Sequence, residues 1–501
     1  MHSIIDEVFM KRLICLFIAL LMLCTAFVGC KKDDPEDNDD PYIPPKDDPY
    51  EKDDLPALNY GGDTLTILYW EDNFHDEFNI TEASDDMVAN AVYKRDRTVK
   101  QRLNISLDYV GTPGWQTAPF VEFLNRDVFS GACEYDIACS ASITVASCAT
   151  ANLCEDLLDY DYIDFNKPWW PDALTEEATI NRKLYFASGD ISTSYLYEMY
   201  INFYNLKMVE QYKLTDDFTQ MALDGKWTWD KFYEFSNVVG YEEKNGDNIP
   251  SSGDIFGFII ETGAIDCAFF SADLHMFSHD RTGGISVDES CFSMKADTFV
   301  SELNNFIHRS GSVYYTTPVS EGNDDANDTQ NSSKWMFSRG ESLFIFGRAI
   351  IAKDVFSYAD GLEYGILPIP KYDEEQEHYV STLTNQFTLY AISIGSHDPE
   401  MASAALECMA SESYRQVTPV LYETIMKLRY APTAASSQIY DIVRETTTFD
   451  LSRIFHRALE STPEWIFKHA MERDESWGSK ATTSTRQLNR LIEDIIMSAF
   501  D

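Results

Sequence analysis

The stretch from Thr64 to Cys139 limits the possible folds more than any other part of the chain. Thr64-Leu65-Thr66-Ile67-Leu68-Tyr69-Trp70 is a β-rich run that ends in polar Glu71-Asp72-Asn73. Asp85 and Asp86 then precede apolar residues at Met87, Val88, Ala91, Val92 and Val99, which predicts an amphipathic helix from Ser84 to Leu103. Asn104 to Val110 reads as a second strand, broken by Pro113-Gly114. Phe120 to Phe129 reads as a helix and Tyr135 to Cys139 as a third strand. Strand–helix–strand alternation predicts a parallel sheet with crossover helices, hence an α/β fold. Ligands of open α/β sheets sit beyond the carboxyl ends of the strands. Trp70 to Asn73, Gly111 to Trp115 and Ser140 to Ile143 lie just past three such ends.

A short apolar run, Leu13 to Phe27, follows Lys11 and Arg12. It is too short to span a membrane of roughly 30 Å as a helix, and the basic start and small residues after it describe a secretory signal peptide. Phe27-Val28-Gly29-Cys30 resembles the bacterial lipobox, with Phe27 where Leu is usual. In signals of that kind the Cys is lipidated and becomes the first mature residue. Met10-Lys11-Arg12 makes a better signal start than Met1. Residues 1–29 are therefore expected to be the signal and 30–56 a lipid-anchored linker. Eleven acids and five prolines lie between Asp33 and Asp54. Such a segment buries too little apolar surface to offset its chain entropy, and it is expected to be disordered and extended.

About 470 of the 501 residues remain after processing, more than one compact core holds, so two lobes are expected. The net charge of −44 repels phosphates and anionic lipid. It excludes nucleic acid as a partner and leaves Cys30 as the route to the membrane. Seven cysteines lie beyond Cys30, at 133, 139, 148, 154, 267, 291 and 408. They form no C-x-x-C pair, and their odd number and lack of nearby His read as free, buried thiols rather than a bridged framework or zinc site.

Several later segments resemble a known family. Asn205-Leu206-Lys207-Met208-Val209-Glu210 and Gly225-Lys226-Trp227-Thr228-Trp229-Asp230-Lys231-Phe232 are similar to the "NKDLF … TWDEF" region of extracellular solute-binding proteins of ABC importers. The carbohydrate-type family related to maltose-binding protein is the match, in its Gram-positive lipoprotein branch. Phe337 to Leu343 with Phe346-Gly347-Arg348-Ala349 resembles the "F..GKAAM" strand, and Tyr364 to Lys371 the "YGVAPLPK" segment. His397-Asp398-Pro399-Glu400-Met401-Ala402 resembles the start of the helix after the hinge strand, and Glu412 to Glu423 continues the likeness.

The resemblance spans roughly 60 to 500. It implies a two-lobed periplasmic-binding-protein-like fold with discontinuous lobes about a hinge-bounded cleft: 60–190 plus 392–456, and 191–391 plus 457–501. The lobes would meet near Asp190-Ile191-Ser192 and Leu389 to Ile394. The function implied is capture of a sugar or oligosaccharide by lobe closure and delivery to ABC permease transmembrane subunits, by a monomer anchored on the extracellular face of the membrane.

A sugar needs aromatic plates for its C–H faces and planar polar groups for its hydroxyl rim. The strand ends supply Trp70, Glu71, Asp72, Trp115, Ser140 and Ser142. The resemblance adds Asp190, Tyr195 and Tyr197 near the crossing, and Phe346, Arg348, Asn385 and Gln386 from the second lobe. Trp169, within Lys167-Pro168-Trp169-Trp170-Pro171, and Trp335, beside a polar loop, are further aromatic candidates. Trp70 reads equally as a ligand plate or as sheet packing. Trp227 and Trp229 read as core.

No G-x-S-x-G, H-E-x-x-H or P-loop pattern occurs, and no cofactor or metal is implied. His275 and His279 stand four apart without a zincin Glu, and Asn323 to Asp328 lacks the central Gly and final Glu of a calcium loop. The chain reads as a receptor without catalysis. A surface glycan-processing enzyme and a ligand-sensing subunit for a membrane kinase are the alternatives.

Overall fold

A computed structural model describes residues 49–73, 75–316, 332–431, 433–473 and 476–501. The signal segment, Cys30, the linker up to residue 48 and the loop around Asn323 to Asp328 lie outside them. The described residues carry two main sheets. The first has strands β1 (Thr64–Trp70), β2 (Ser106–Thr112), β3 (Ile137–Ala141) and β12 (Thr388–Ile392), in the order β12-β3-β1-β2. Strands β1, β2 and β3 are parallel, and β12 returns antiparallel to β3. The helices expected near Leu103 and Phe120 run Met87–Leu103 and Thr117–Ser130.

The alternation of side chains explains why this sheet is buried on both faces. Leu65 and Ile67 pack with Val99, Leu103 and Met409 on one side, whereas Leu68 and Ala138 pack with Phe120, Leu124 and Val145 on the other. Asp86 starts the first helix by accepting the Val88 and Ala89 amides at 2.8 and 2.9 Å, a cap worth about 1 kcal/mol. Arg95 on this helix is fully buried. It pairs with Asp96 at 2.8 Å and donates to the Ile191 carbonyl at 3.2 Å and the Ser413 hydroxyl at 3.3 Å, tying the helix to the chain crossing.

The second sheet takes strands β4 (Tyr200–Asn205), β5 (Tyr241–Glu242), β6 (Ile255–Glu261), β10 (Ser342–Arg348) and β11 (Tyr364–Leu367), in the order β11-β4-β10-β6-β5, with β9 (Val313–Thr316) pairing β6. Strands β7 (Phe277–His279) and β8 (Ile285–Val287) form a separate pair. The core of this lobe is aromatic: Trp229, Phe232, Phe258, Phe344 and Phe346 meet at centroid distances of 4.8 to 5.7 Å. Each such buried ring contributes roughly 1.5–3 kcal/mol by leaving water. Trp229 follows the Thr228 cap, which accepts the Lys231 amide, so it serves the core as expected.

The end of the linker departs from expectation. Residues 49–56 are not an isolated tether, because their acids find cations on the first lobe. Asp53 pairs with Arg102 at 2.5 Å, and Glu51 and Asp54 reach Lys167 at 2.9 and 2.7 Å. Six of the seven cysteines are buried and Cys133 is exposed, and all seven are free. His279 lies on β7, off any helix it would share with His275, and its Nε2 lies 2.8 Å from the Glu177 carbonyl. Among the described residues no helix is long and apolar enough to cross a membrane.

Two carboxylates, the buried Glu407 and the half-buried Glu177, set a pH dependence. Burial pushes the Glu407 carboxyl up to about 7, against the opposing hydrogen bond that the Trp170 indole donates at 2.8 Å. Burial likewise raises Glu177 to about 8. A folded pKa above the unfolded value means that stability is fully present below about pH 4.3 and is lost as pH rises through 7 to 8. Glu407→Gln removes part of that loss. Thermal unfolding is expected to show a melting temperature advantage of the variant over wild type that grows between pH 5 and pH 8.

Candidate functional site

Three strand-end loops are knitted together at the mouth of the first sheet. Asp72, just past β1, accepts the Gly114 amide at 2.9 Å and the Trp115 amide at 3.2 Å. The Gly114 carbonyl accepts from the hydroxyls of Ser140 at 3.2 Å and Thr144 at 2.8 Å. Only glycine fits at 114, since a Cβ there would come within 2.1 Å of the Trp70 Cβ and 2.4 Å of the Ser140 Oγ. This close approach leaves Glu71 and Asp72 exposed and Trp115 37% exposed on the rim. Ser142 turns to the segment before β12 and donates its hydroxyl to the Asn385 carbonyl at 3.1 Å.

Between the sheets runs the crossing. Ser192 caps the short helix Thr193–Tyr197 by accepting the Tyr195 amide at 3.2 Å, and Glu198 follows at its end. The Glu198 side chain is fully buried, and its Oε1 lies 2.7 Å from His75 Nε2 and 3.2 Å from Arg348 on β10. Thr384 donates to its Oε2, and Arg348 also donates to the Gln386 amide oxygen. Burial alone would raise the Glu198 carboxyl. The Arg348 charge and the His75 hydrogen bond overcome it and hold the pKa down at about 2. Nearby, Glu77 accepts from the Tyr390 and Thr388 hydroxyls, Asp76 pairs with Lys353 at 2.7 Å, and Asp266 pairs with Arg453 at 3.3 Å. Asn385, Arg453 and Asp266 line a narrow pocket of about 10 Å³, the space of one water. Phe269, Phe270, Met276 and Phe467 also line it. Among the described residues no group of three or more His, Cys, Asp or Glu is arranged to hold a metal.

Glu71, Asp72 and Trp115 stand exposed together at the strand ends, and Arg348 and Gln386 meet at Glu198. Ser140 and Ser142 are fully buried with their hydroxyls committed to the Gly114 and Asn385 carbonyls, so they hold the loops rather than face a ligand. The Tyr197 ring lies 5.4 Å from the Lys353 ammonium. Other expectations are corrected. Trp70 is 1% exposed and donates its indole N–H to Thr388 at 3.3 Å, so it serves packing rather than as a plate. Phe346 is spent in the aromatic core. Trp335 is half-buried against the core of the second lobe. Trp169, Asp190 and Tyr195 meet in a different cavity, beside Arg444. Sequence reasoning missed Glu198, His75, Glu77, Asp266 and Arg453. Glu198 carried a usable signal, because a lone acid in the apolar run Leu196 to Phe203 must find partners.

No protein-family model and no curated protein matches the sequence. Solved structures do match in fold. A cyclic alpha-maltosyl-1,6-maltose binding protein from Arthrobacter globiformis aligns with a TM-score of 0.58 at 14% identity, covering 87% of this chain and 100% of that one. A cyclo/maltodextrin-binding protein complexed with maltotetraose aligns at 0.55 and 13%, covering 87% and 98%. UgpB from Mycobacterium tuberculosis, in complex with glycerophosphocholine, aligns at 0.54 and 14%, covering 87% and 100%. The chain therefore has the two-lobed, periplasmic-binding-protein-like α/β fold of ABC substrate-binding proteins.

Removing the charge of the fully buried Glu198 leaves the half-buried Arg348 without its ion-pair partner. Glu198→Gln is expected to cost about 3–5 kcal/mol at pH 7 in denaturant unfolding. Because the folded pKa is depressed, the stability that Glu198 contributes is present above about pH 4.3 and is lost as pH falls towards 2. The gap between variant and wild type should close across that window.

Proposed function

We propose that this protein is an extracellular solute-binding lipoprotein that captures a carbohydrate by lobe closure and hands it to the permease of an ABC transporter. What supports this reading is the polar cluster of Glu198, Arg348 and Gln386, with Asn385 next to it in the chain, together with the strand-end loops that expose Glu71, Asp72 and Trp115. Its carboxylates, amides and guanidinium match the paired hydrogen bonds a sugar rim requires, and Trp115 is an exposed plate for a sugar face. Fold neighbours that bind cyclo/maltodextrin and cyclic alpha-maltosyl-1,6-maltose add support. The lobes divide at 60–190 plus 392–456 and 191–391 plus 457–501, except that Thr388–Ala391 go with the first sheet, and the crossings lie near Asp190 to Ser192 and Leu389 to Ile394. Closure is a population shift in which ligand replaces part of the internal polar contacts of the floor. Nothing in this arrangement requires catalysis, and the ligand leaves unchanged. Cys30 anchors the mature chain to the outer face of the membrane.

Thermal unfolding against mono- and oligosaccharides tests the assignment. One sugar class at 100 times its dissociation constant should stabilise the protein by roughly 2.7 kcal/mol and be recovered intact. Gln386→Ala should weaken that ligand at least tenfold in calorimetric titration while the protein stays folded. Glycerophosphocholine belongs in the panel because a fold neighbour binds it. A response to it alone would replace the sugar assignment, and hydrolysis of an oligosaccharide would replace the receptor with an enzyme.

The anchor has its own test. Cys30→Ser should move the protein from the membrane fraction to the medium, and retention in the membrane would refute lipidation at Cys30.

A further inference from the structure

We propose that the cavity beside the crossing, apart from the cleft floor, is a second binding site, for a small organic ammonium ion. The cavity measures about 340 Å³, within the range of small-ligand pockets. Its floor is Gly189 and Asp190 of the crossing. Asp190 is held by the Thr418 hydroxyl and by Arg444, both at 2.8 Å. Gly189 adopts φ +147°, and a Cβ there would lie 2.2 Å from the Trp169 carbonyl, so the crossing and the Pro168–Pro171 segment form one packed wall. The facing wall comes from Tyr422 and from the helix Ala434–Glu445.

Charge selects the ligand. Asp190, Glu423, Asp441 and Glu445 line the cavity with Arg444 as their one cationic neighbour in the lining, which leaves three net negative charges. Lys427 bridges Glu423 at 3.1 Å and Asp441 at 2.9 Å, and two remain. Glu445 is exposed and enters no ion pair of its own among the described residues. These carboxylates offer acceptors only, which suits N–H donors.

A second observation points inward. Tyr195 is 5% exposed and lines the cavity, yet its hydroxyl meets no hydrogen-bonding partner among the described residues. Its ring is braced by Phe449 at 6.2 Å, and its backbone N–H is already committed to Ser192. The hydroxyl is not among the buried unsatisfied atoms, so its free bonding capacity faces the cavity, where a ligand can complete it. An ammonium ion there would donate to Tyr195 and to the carboxylates while its alkyl part lies against the Tyr195 ring, where cations are also favoured.

Calorimetric titration of the full chain with 1,4-diaminobutane at fixed ionic strength tests the site. The expected result is one saturable site per chain. The Asp441→Asn/Glu445→Gln double variant should weaken it at least tenfold, Tyr195→Phe several-fold, and a control double variant in an exposed acidic loop, Glu374→Gln/Glu375→Gln, not at all. Absence of saturable binding, undiminished binding in the first double variant, or an equal loss in the control would overturn the proposal. Tyr195→Phe keeps the ring and serves as the deciding variant if the double variant misfolds. Sugar binding in the main cleft is read separately, so the receptor assignment stands or falls on other data.

Discussion

The buried carboxylate of Glu198 is the interaction on which the cleft depends. An isolated ionised carboxylate away from water is very costly. It persists because three elements converge on it: His75 from the loop after β1, Arg348 at the end of β10, and Thr384 from the segment before β12. Those elements belong to different sheets, so one charge holds the two halves of the molecule in register. The same group keeps polar side chains at the cleft floor where a core of this size would otherwise be apolar.

Glycine positions show how closely the loops approach. Gly114 lets the loop after β2 lie against β1 and β3, which brings Asp72 and Trp115 to the rim. Gly189 lets the crossing lie against the Trp169 carbonyl, which shapes the second cavity. In both places a missing side chain, rather than a special contact, decides where functional groups stand.

The two polar regions differ in kind. The cleft floor pairs its charges internally: Glu198 with Arg348, Asp266 with Arg453, and Asp76 with Lys353. The cavity beside the crossing leaves acceptors in excess and turns the Tyr195 hydroxyl towards the cavity. A paired site suits a neutral polyhydroxylated ligand that exchanges hydrogen bonds one for one, whereas an unbalanced one attracts a cation.

The sequence by itself determined the local elements. The alternation of Thr64 to Trp70, the capped helix after Asp86 and the Pro113-Gly114 break made β1 to β3 and their parallel order legible, because those signals are short-range. The strand-end rule likewise pointed to Asp72, Trp115 and Ser140, which the structure joins around Gly114. Tertiary structure alone decided that Trp70 and Phe346 turn inward, because the face a strand residue shows depends on what covers the sheet. It also placed Trp169, Asp190 and Tyr195 in a separate cavity. Finally, it joined His75, Glu198, Arg348 and Thr384, which stand up to about three hundred residues apart. No local pattern encodes such a meeting, since it follows from the packing of two sheets around a buried charge.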